Sequence, residues 1–371
     1  MTHPARPRRR VFLHIGAPKT GTTLLQSRLT LNQQELATHD VHFPSGSRLV
    51  HPDIFQFRAA LDLLGQDWGG VPGHAEGAWP RLVSAASDLT GSVIVSHEIL
   101  GAAKPRQIQQ AVSELGRGAE LHVVYAARDL ARQVPAAWQE AVKQGRKWGY
   151  RKFLDKTVAG ESWFARSFDL PAILTRWGRH LPPERVHLVT VPQPGTGDLW
   201  ARYCQALQVD PAWAPQEPDR VNESLGVPET MVLLALNRRM TRAQRQSPAY
   251  DHLVRGMLGH ESLTGRGSQP VTLPPRLHAW AEQQASRWID WTRASGVEVI
   301  GDLDDLVPQR PDPAQEWLDP AKVRPRARLA AAMDALEAMT DEAARRPVPE
   351  ARPLARARLA WQRLRGQDLE R

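Results

Sequence analysis

Residues 11–23, Val11-Phe12-Leu13-His14-Ile15-Gly16-Ala17-Pro18-Lys19-Thr20-Gly21-Thr22-Thr23, read as an apolar strand that runs straight into a glycine-rich turn. Glycines let the backbone bend sharply enough for successive N–H groups and the next helix start to face one anion, so the turn reads as a phosphate cradle. Gly16 and Gly21 have the spacing of the two glycines in the nucleoside-triphosphate loop G-x-x-x-x-G-K-[ST]. Thr22 stands where that loop has its lysine, and the lysine here comes earlier, at Lys19. Two residues before the second glycine, Lys19 is placed beside a group in transfer rather than along the β- and γ-phosphates of a triphosphate. Thr22 and Thr23 add hydroxyl donors, and no acidic strand end offers a magnesium partner.

The hexapeptide Pro18-Lys19-Thr20-Gly21-Thr22-Thr23 resembles the 5′-phosphosulfate loop, P-K-x-G-T-T, of the sulfotransferases that use 3′-phosphoadenosine 5′-phosphosulfate (PAPS). The resemblance, to a bacterial sulfotransferase-like protein, implies an α/β fold: a P-loop-type three-layer sandwich around a mostly parallel central sheet. It implies that Gly16, Pro18, Lys19, Thr20, Gly21, Thr22 and Thr23 hold the donor. Lys19 would neutralise the charge that grows on the oxygen between sulfur and the 5′-phosphate, with PAPS as co-substrate and no metal.

The second half of the resemblance is a strand that ends in Arg with a Ser eight residues on, which in the family binds the 3′-phosphate. Here the Arg is Arg128, in Tyr125-Ala-Ala-Arg128-Asp129, and the eighth residue on is Ala136, so the serine hydroxyl is missing. Arg128 retains a bidentate grip, and Arg132 lies one helical turn away on a similar face. The family takes its base, His or Glu, from the end of a central strand. Ser96-His97-Glu98 occupies that place, with Glu98 the first choice and His97 the second. Asn222, in a polar turn before a helix, is a further candidate for the nucleotide, although Ser224 as a helix cap explains the same segment.

Composition sets the outer limits. A chain of 371 residues can bury a sizeable core, and one α/β domain with appendages is the simplest fit. The net charge of +8 sits at the ends. Residues 1–10 carry four Arg and no acid, and residues 321–371 carry twelve Lys/Arg against seven Asp/Glu, which leaves a body near −1. That is not the basic face of a nucleic-acid reader. The single Cys204 excludes an intramolecular disulfide framework and a cysteine-based zinc site, no apolar run has the length of a membrane span, and the basic N-terminus leads into a strand rather than an apolar signal region. The expected compartment is the cytoplasm.

Along the chain, the apolar spacing of residues 22–36 predicts a helix capped by Thr22 or Thr23, and 41–44 a short strand stopped by Pro44. Residues 45–80 read as loop with short helices over the mouth of the site. Strands are expected at 92–96, 121–128, 185–191 and 297–300, and helices at 129–145, 169–180, 198–207, 224–240 and 274–295. Ligands of open α/β sheets gather at the carboxyl ends of strands, so Gly16, His97, Glu98 and Arg128 should share one crevice. From about Pro308 the chain turns rich in Pro, Ala and Arg, with helical pieces at 326–344 and 351–365. The organisation is a basic tail (1–10), an α/β domain (11–307) and a helical C-terminal extension (308–371), the last expected to be a solvated appendage.

The leading expectation is transfer of a sulfuryl group from PAPS to an acceptor hydroxyl on a glycan, a glycolipid or a small natural product. A P-loop phosphotransferase, disfavoured by Thr22, and a non-catalytic nucleotide-binding scaffold, to which Ala136 and the appended tail lend mild support, stay open. The sequence leaves the acceptor and the oligomeric state undetermined.

Overall fold

The apolar segments at 10–14, 92–96, 120–127 and 186–190 can be satisfied only inside a sheet covered on both faces, and that is where they lie. The computed structural model describes residues 9–46, 50–218, 224–310 and 316–346. In chain order the elements are β1 (Arg10–His14), α1 (Thr22–Leu31), α2 (Gln33–Thr38), β2 (Val41–His42), α3 (Pro52–Leu64), α4 (Ala78–Ser87), β3 (Ser92–Ser96), α5 (Pro105–Leu115), β4 (Glu120–Ala127) and α6 (Leu130–Lys143). There follow α7 (Tyr150–Val158), α8 (Trp163–Phe168), α9 (Leu170–Gly178), β5 (Val186–Thr190), α10 (Leu199–Leu207) and α11 (Val227–Arg239). Two short turns, α12 (Arg242–Arg245) and α13 (Pro248–Tyr250), lead into a π-helix (Asp251–Ser262), then α14 (His278–Ser295), β6 (Glu298–Ile300) and α15 (Pro325–Arg345).

The sheet has the order β2-β3-β1-β4-β5-β6, and every pairing is parallel. Alternation along the strands divides the core. Phe12, Ile94, Val124 and Val189 face α1, α2 and α10, where Leu25, Leu29, Trp200 and Tyr203 meet them. Val11, Leu13, Val93, Val95, Val123 and Tyr125 face the opposite layer, which includes Leu61, Leu82, Ala111, Trp138 and Ile173. This is the three-layer α/β sandwich expected from the sequence, with a sheet that is parallel throughout rather than mostly so.

Several local expectations are corrected. The first helix breaks at Asn32 into α1 and α2, and Gly21, not Thr22 or Thr23, caps α1. Residues 52–64 form a full helix, α3, with Pro52 in its first turn and Phe55, Ala59, Ala60 and Leu63 buried, where loop and short helices were expected. Gly226 rather than Ser224 precedes α11. The helix at 325–345 is present but does not stand free: α15 packs on α11 and the π-helix with Ala331 and Ala335 buried. Asn222, the helical piece at 351–365 and most of the basic tail lie outside the described residues.

Candidate nucleotide-binding site

The order of the sheet decides where a site can form. The chain leaves β1 for β2 and β3 on one side and then crosses to β4 on the other, so the turn after β1 sits at the switch point, between the carboxyl ends of β3 and β4. The register brings His14 level with Ser96 and Val124. Hydrogen bonds from Ile15 N to Val124 O (2.9 Å) and from Ala17 N to Ala126 O (2.8 Å) carry the ladder into the turn before it bends.

Glycine is required at both bends. Gly16 has φ +123°, and a Cβ there would lie 3.0 Å from the carbonyl oxygen of Glu98. Gly21 has φ +94°, and a Cβ would meet Leu199 Cδ2 at 2.5 Å. Between them, three consecutive carbonyls are tied down. Gln133 Nε2 donates to Pro18 O at 2.8 Å, Arg128 Nη1 to Lys19 O at 3.4 Å and the Tyr203 hydroxyl to Thr20 O at 3.1 Å. In a trans peptide the N–H opposes the C=O, so the N–H groups of Lys19, Thr20 and Gly21 turn the other way. They donate to no backbone acceptor among the described residues. The Thr20 hydroxyl is spent inside the turn on Ala17 O at 2.6 Å, whereas the buried Thr22 Oγ1 has no partner and Thr23 is exposed. A row of N–H groups without a backbone acceptor, ending at a helix start with an unpaired hydroxyl beside it, has the chemistry to hold an anion.

Lys19 sits in this turn with φ +67°, a left-handed conformation that costs a non-glycine residue about 1 kcal/mol. Its Nζ lies 3.5 Å from Glu140 Oε2 on α6, and the other Glu140 oxygen accepts from Gln144 Nε2 at 3.1 Å. Burial would raise the Glu140 carboxyl, but Lys19, Lys143, Arg255 and His260 outweigh it and hold it at about 2. Lys143 is 6% exposed and is pushed down to about 8 by burial, with Lys19 and Arg255 acting in the same direction against Glu140. Lys19, Lys143 and Arg255 therefore surround the Glu140 carboxylate with an excess of positive charge.

The two arginines separate. Arg128, at the end of β4, spends one donor on Lys19 O, while its buried Nε has no partner. Burial, helped by Arg132, lowers its guanidinium to about 10, which leaves it charged at neutral pH. Arg132 is fully engaged elsewhere. It pairs with the buried Asp129 and donates to Pro192 O at 2.9 Å and Val191 O at 3.2 Å, tying the start of α6 to the end of β5. Asp129 also caps α6 by accepting from Arg132 N at 3.0 Å, a contact worth about 1 kcal/mol. The structure thus brings Arg128 to the loop and gives Arg132 to the scaffold. Ala136 lies between Gln133 and Glu140 on the face of α6 that meets the turn, so the position of the expected serine faces the site and carries a methyl group.

Glu98 and His97 stay together, with His97 Nδ1 3.6 Å from Glu98 Oε2. The backbone of Glu98 abuts Gly16, and its side chain is 31% exposed. His97 is 9% exposed. Its Nδ1 accepts from Ile99 N at 3.3 Å, capping the short turn after β3, and its ring packs on Phe57 at 5.1 Å. Burial lowers the His97 imidazole, against the pull of Glu98. His14, the last residue of β1, is buried, with Nδ1 2.8 Å from Ser96 Oγ. No cluster of three metal-ligating side chains occurs among the described residues, and none of their helices is long and apolar enough to cross a membrane.

Sequence reasoning missed Gln133, Glu140, Lys143, Tyr203 and Arg255. The spacing of Gln133, Ala136, Glu140 and Lys143 on a helix that begins one residue after Arg128-Asp129 was a usable signal, since these positions share one face. Tyr203 and Arg255 carried none.

No family model matches the chain, and no curated protein matches it. Among solved structures, the fold is similar to the crystal structure of a sulfotransferase from Alicyclobacillus acidocaldarius. The match has a TM-score of 0.36 and 16% identity, and covers 65% of this chain and 100% of that one.

Proposed function

We propose that the chain is a sulfotransferase that moves a sulfuryl group from PAPS to an acceptor hydroxyl. The observation that carries this reading is the turn at 16–23. The carbonyls of residues 18–20 are tied to Gln133, Arg128 and Tyr203, the N–H groups of Lys19, Thr20 and Gly21 have no backbone acceptor among the described residues, and an ammonium stands at its mouth two residues before the second glycine. The unpaired Thr22 hydroxyl and Arg128 Nε fit a ligand with anionic groups on both the 3′ and the 5′ position of a nucleoside's ribose.

The donor supplies a sulfuryl group on a phosphate leaving group. The N–H groups of Lys19, Thr20 and Gly21, with Thr22, hold that phosphate, and Lys19 neutralises the charge that its bridging oxygen gains as the sulfur–oxygen bond breaks. Arg128 binds the 3′-phosphate from the β4 side. Glu98 takes the proton of the acceptor hydroxyl as its oxygen bonds to sulfur, leaving a sulfate ester and adenosine 3′,5′-bisphosphate. His97 ranks second as the base because its Nδ1 is already a cap. The acceptor is a glycan, a glycolipid or a small natural product, and the proposed compartment is the cytoplasm.

The test is binding without metal followed by turnover. Adenosine 3′,5′-bisphosphate should raise the melting temperature in EDTA, and labelled PAPS with a metabolite extract should yield a labelled ester that the Lys19→Ala protein does not make. Protection by ATP only with magnesium would favour a phosphotransferase, and nucleotide binding without any turnover a scaffold.

A further inference from the structure

Helix α15 buries Ala331 and Ala335 against the body and turns a second apolar stripe outward. Leu329, Met333 and Leu336 are 63%, 54% and 58% exposed and follow one another at i, i+4 and i+7, so they form a continuous ridge. The other large exposed apolar residues among the described ones come from other elements and loops. Beside the ridge, the apolar surface continues into a groove of about 710 Å³ between α11, the π-helix and α15, lined by Val232, Leu236, Leu329, Leu336 and Met339. A contiguous apolar surface of this kind marks an interaction site.

Charge identifies the occupant. Arg326, Glu337 and Asp341 are exposed and form no ion pair with the described residues. At about 100° per residue, all three fall on the same side of the ridge, with the cation at the start of the helix and the carboxylates towards its end. Two copies related by a two-fold axis across the ridge run antiparallel and bring this flank against itself. With the axis at Met333, Leu329 meets Leu336 of the second copy, Met333 meets its own symmetry mate, and Arg326 falls between Glu337 and Asp341 of the second copy.

We propose that α15 is a self-complementary dimerisation surface, pairing antiparallel with a second copy of this chain through Leu329, Met333 and Leu336 and the flanking Arg326 with Glu337 and Asp341. This does not depend on the catalytic reading. Neighbouring acids on the helix already have partners within the chain, Asp334 with Arg266 and Glu342 with His252 and Arg346, which leaves the unpaired charges where the second copy needs them.

The test is sedimentation equilibrium of the full chain, whose monomer mass is 41.5 kDa. The wild type should double in mass with concentration, and Met333→Glu should return it to monomer without lowering the melting temperature. Arg326→Glu should weaken the dimer, and Arg326→Glu with Glu337→Arg and Asp341→Arg should restore it. Met333→Cys should cross-link to a covalent dimer under mild oxidation, since the single native cysteine, Cys204, is buried. A wild type that stays monomeric overturns the proposal and leaves the ridge to another segment of its own chain. A dimer unaffected by Met333→Glu, or a Met333→Cys protein that does not cross-link, overturns it as well.

Discussion

The Lys19 ammonium and the Glu140 carboxylate lie 3.5 Å apart, joining the turn after β1 to the second half of α6. Glu140 is the one acid among Lys19, Lys143, Arg255 and His260, and in the proposed reaction it holds Lys19 while the turn awaits a phosphate. Glu140→Gln removes one negative charge within a few ångströms of the anion site. Adenosine 3′,5′-bisphosphate should then bind about fivefold tighter at low salt, with the gain shrinking as salt rises. Turnover should slow, because Lys19 loses its anchor. Calorimetry at two ionic strengths checks the first claim, and unchanged affinity at low salt would show that Glu140 does not reach the nucleotide.

Lys19 has opposite requirements in chemistry and in backbone conformation. Its φ of +67° suits glycine better than lysine, and its side chain is one-third exposed. Lys19→Gly should therefore melt no lower than the wild type while losing roughly 10²–10³-fold in transfer rate, the usual effect of removing one group that stabilises developing charge. Parallel melting curves and single-turnover rates decide it. A drop of several degrees would mean that the ion pair with Glu140, rather than the turn itself, holds the loop.

The arginines offer an internal control. Arg128 has an unpaired buried Nε beside the turn, whereas Arg132 is bound to Asp129, Val191 and Pro192. Arg128→Ala should abolish the preference for adenosine 3′,5′-bisphosphate over adenosine 5′-phosphate and leave the melting temperature nearly unchanged. Arg132→Ala should do the reverse, costing about 3 kcal/mol because Asp129, 1% exposed, is left as an unpaired buried charge. Competition binding with the two nucleotides and urea unfolding of both variants separate the roles, and the assignment fails if the two proteins behave alike.

Much of this was legible because the decisive signals are local. β1, β3 and β5 are apolar runs bounded by turn residues, and the turn at 16–23 announces itself by two glycines and a lysine within eight residues. α3 was harder: Phe55, Ala59, Ala60 and Leu63 have helical spacing, but His, Gly and Trp on both sides of the segment conceal it. The Lys19–Glu140 pair joins residues 121 positions apart, and nothing in either neighbourhood names the other. The same holds for Arg132. Its helical position resembles that of a ligand-binding residue, and only the course of β5 beside α6 shows that backbone carbonyls claim it. The stripe on α15 was visible as helix, but which of its faces meets the body depends on where α11 lies.

Gly16 allows the sharpest test of the turn itself. Its φ of +123° is strained for any L residue, and a Cβ would press on the Glu98 carbonyl at 3.0 Å. Gly16→Ala should push the turn away from the end of β3 and weaken nucleotide binding by at least an order of magnitude, as small displacements of positioning groups do. The substitution lies beyond the carboxyl end of β1 rather than within the strand, so the protein should still fold. Wild-type affinity in Gly16→Ala would show that contact between the turn and Glu98 is not needed for binding.

Acid should unfold the protein through its buried histidines. Burial pushes His14 down to about 3, with His97 adding to the effect, and His97, His122 and His187 are themselves lowered by burial. These rings stay neutral in the folded state below the pH at which they protonate in the unfolded chain, near 6.5. As pH falls through 6.5 the unfolded state binds more protons, so stability declines by about 1.4 kcal/mol per pH unit for each such ring until its folded value is reached. Glu140, held at about 2, adds a loss below about 4.5. Urea unfolding should therefore show little change from pH 8 to 7 and a steep fall from 6 to 4. His14→Gln, which keeps a polar group near the Ser96 hydroxyl, should reduce that slope by close to one proton. An unchanged slope in His14→Gln would show that the ring already takes up its proton in the folded protein, despite its burial between β3 and β4.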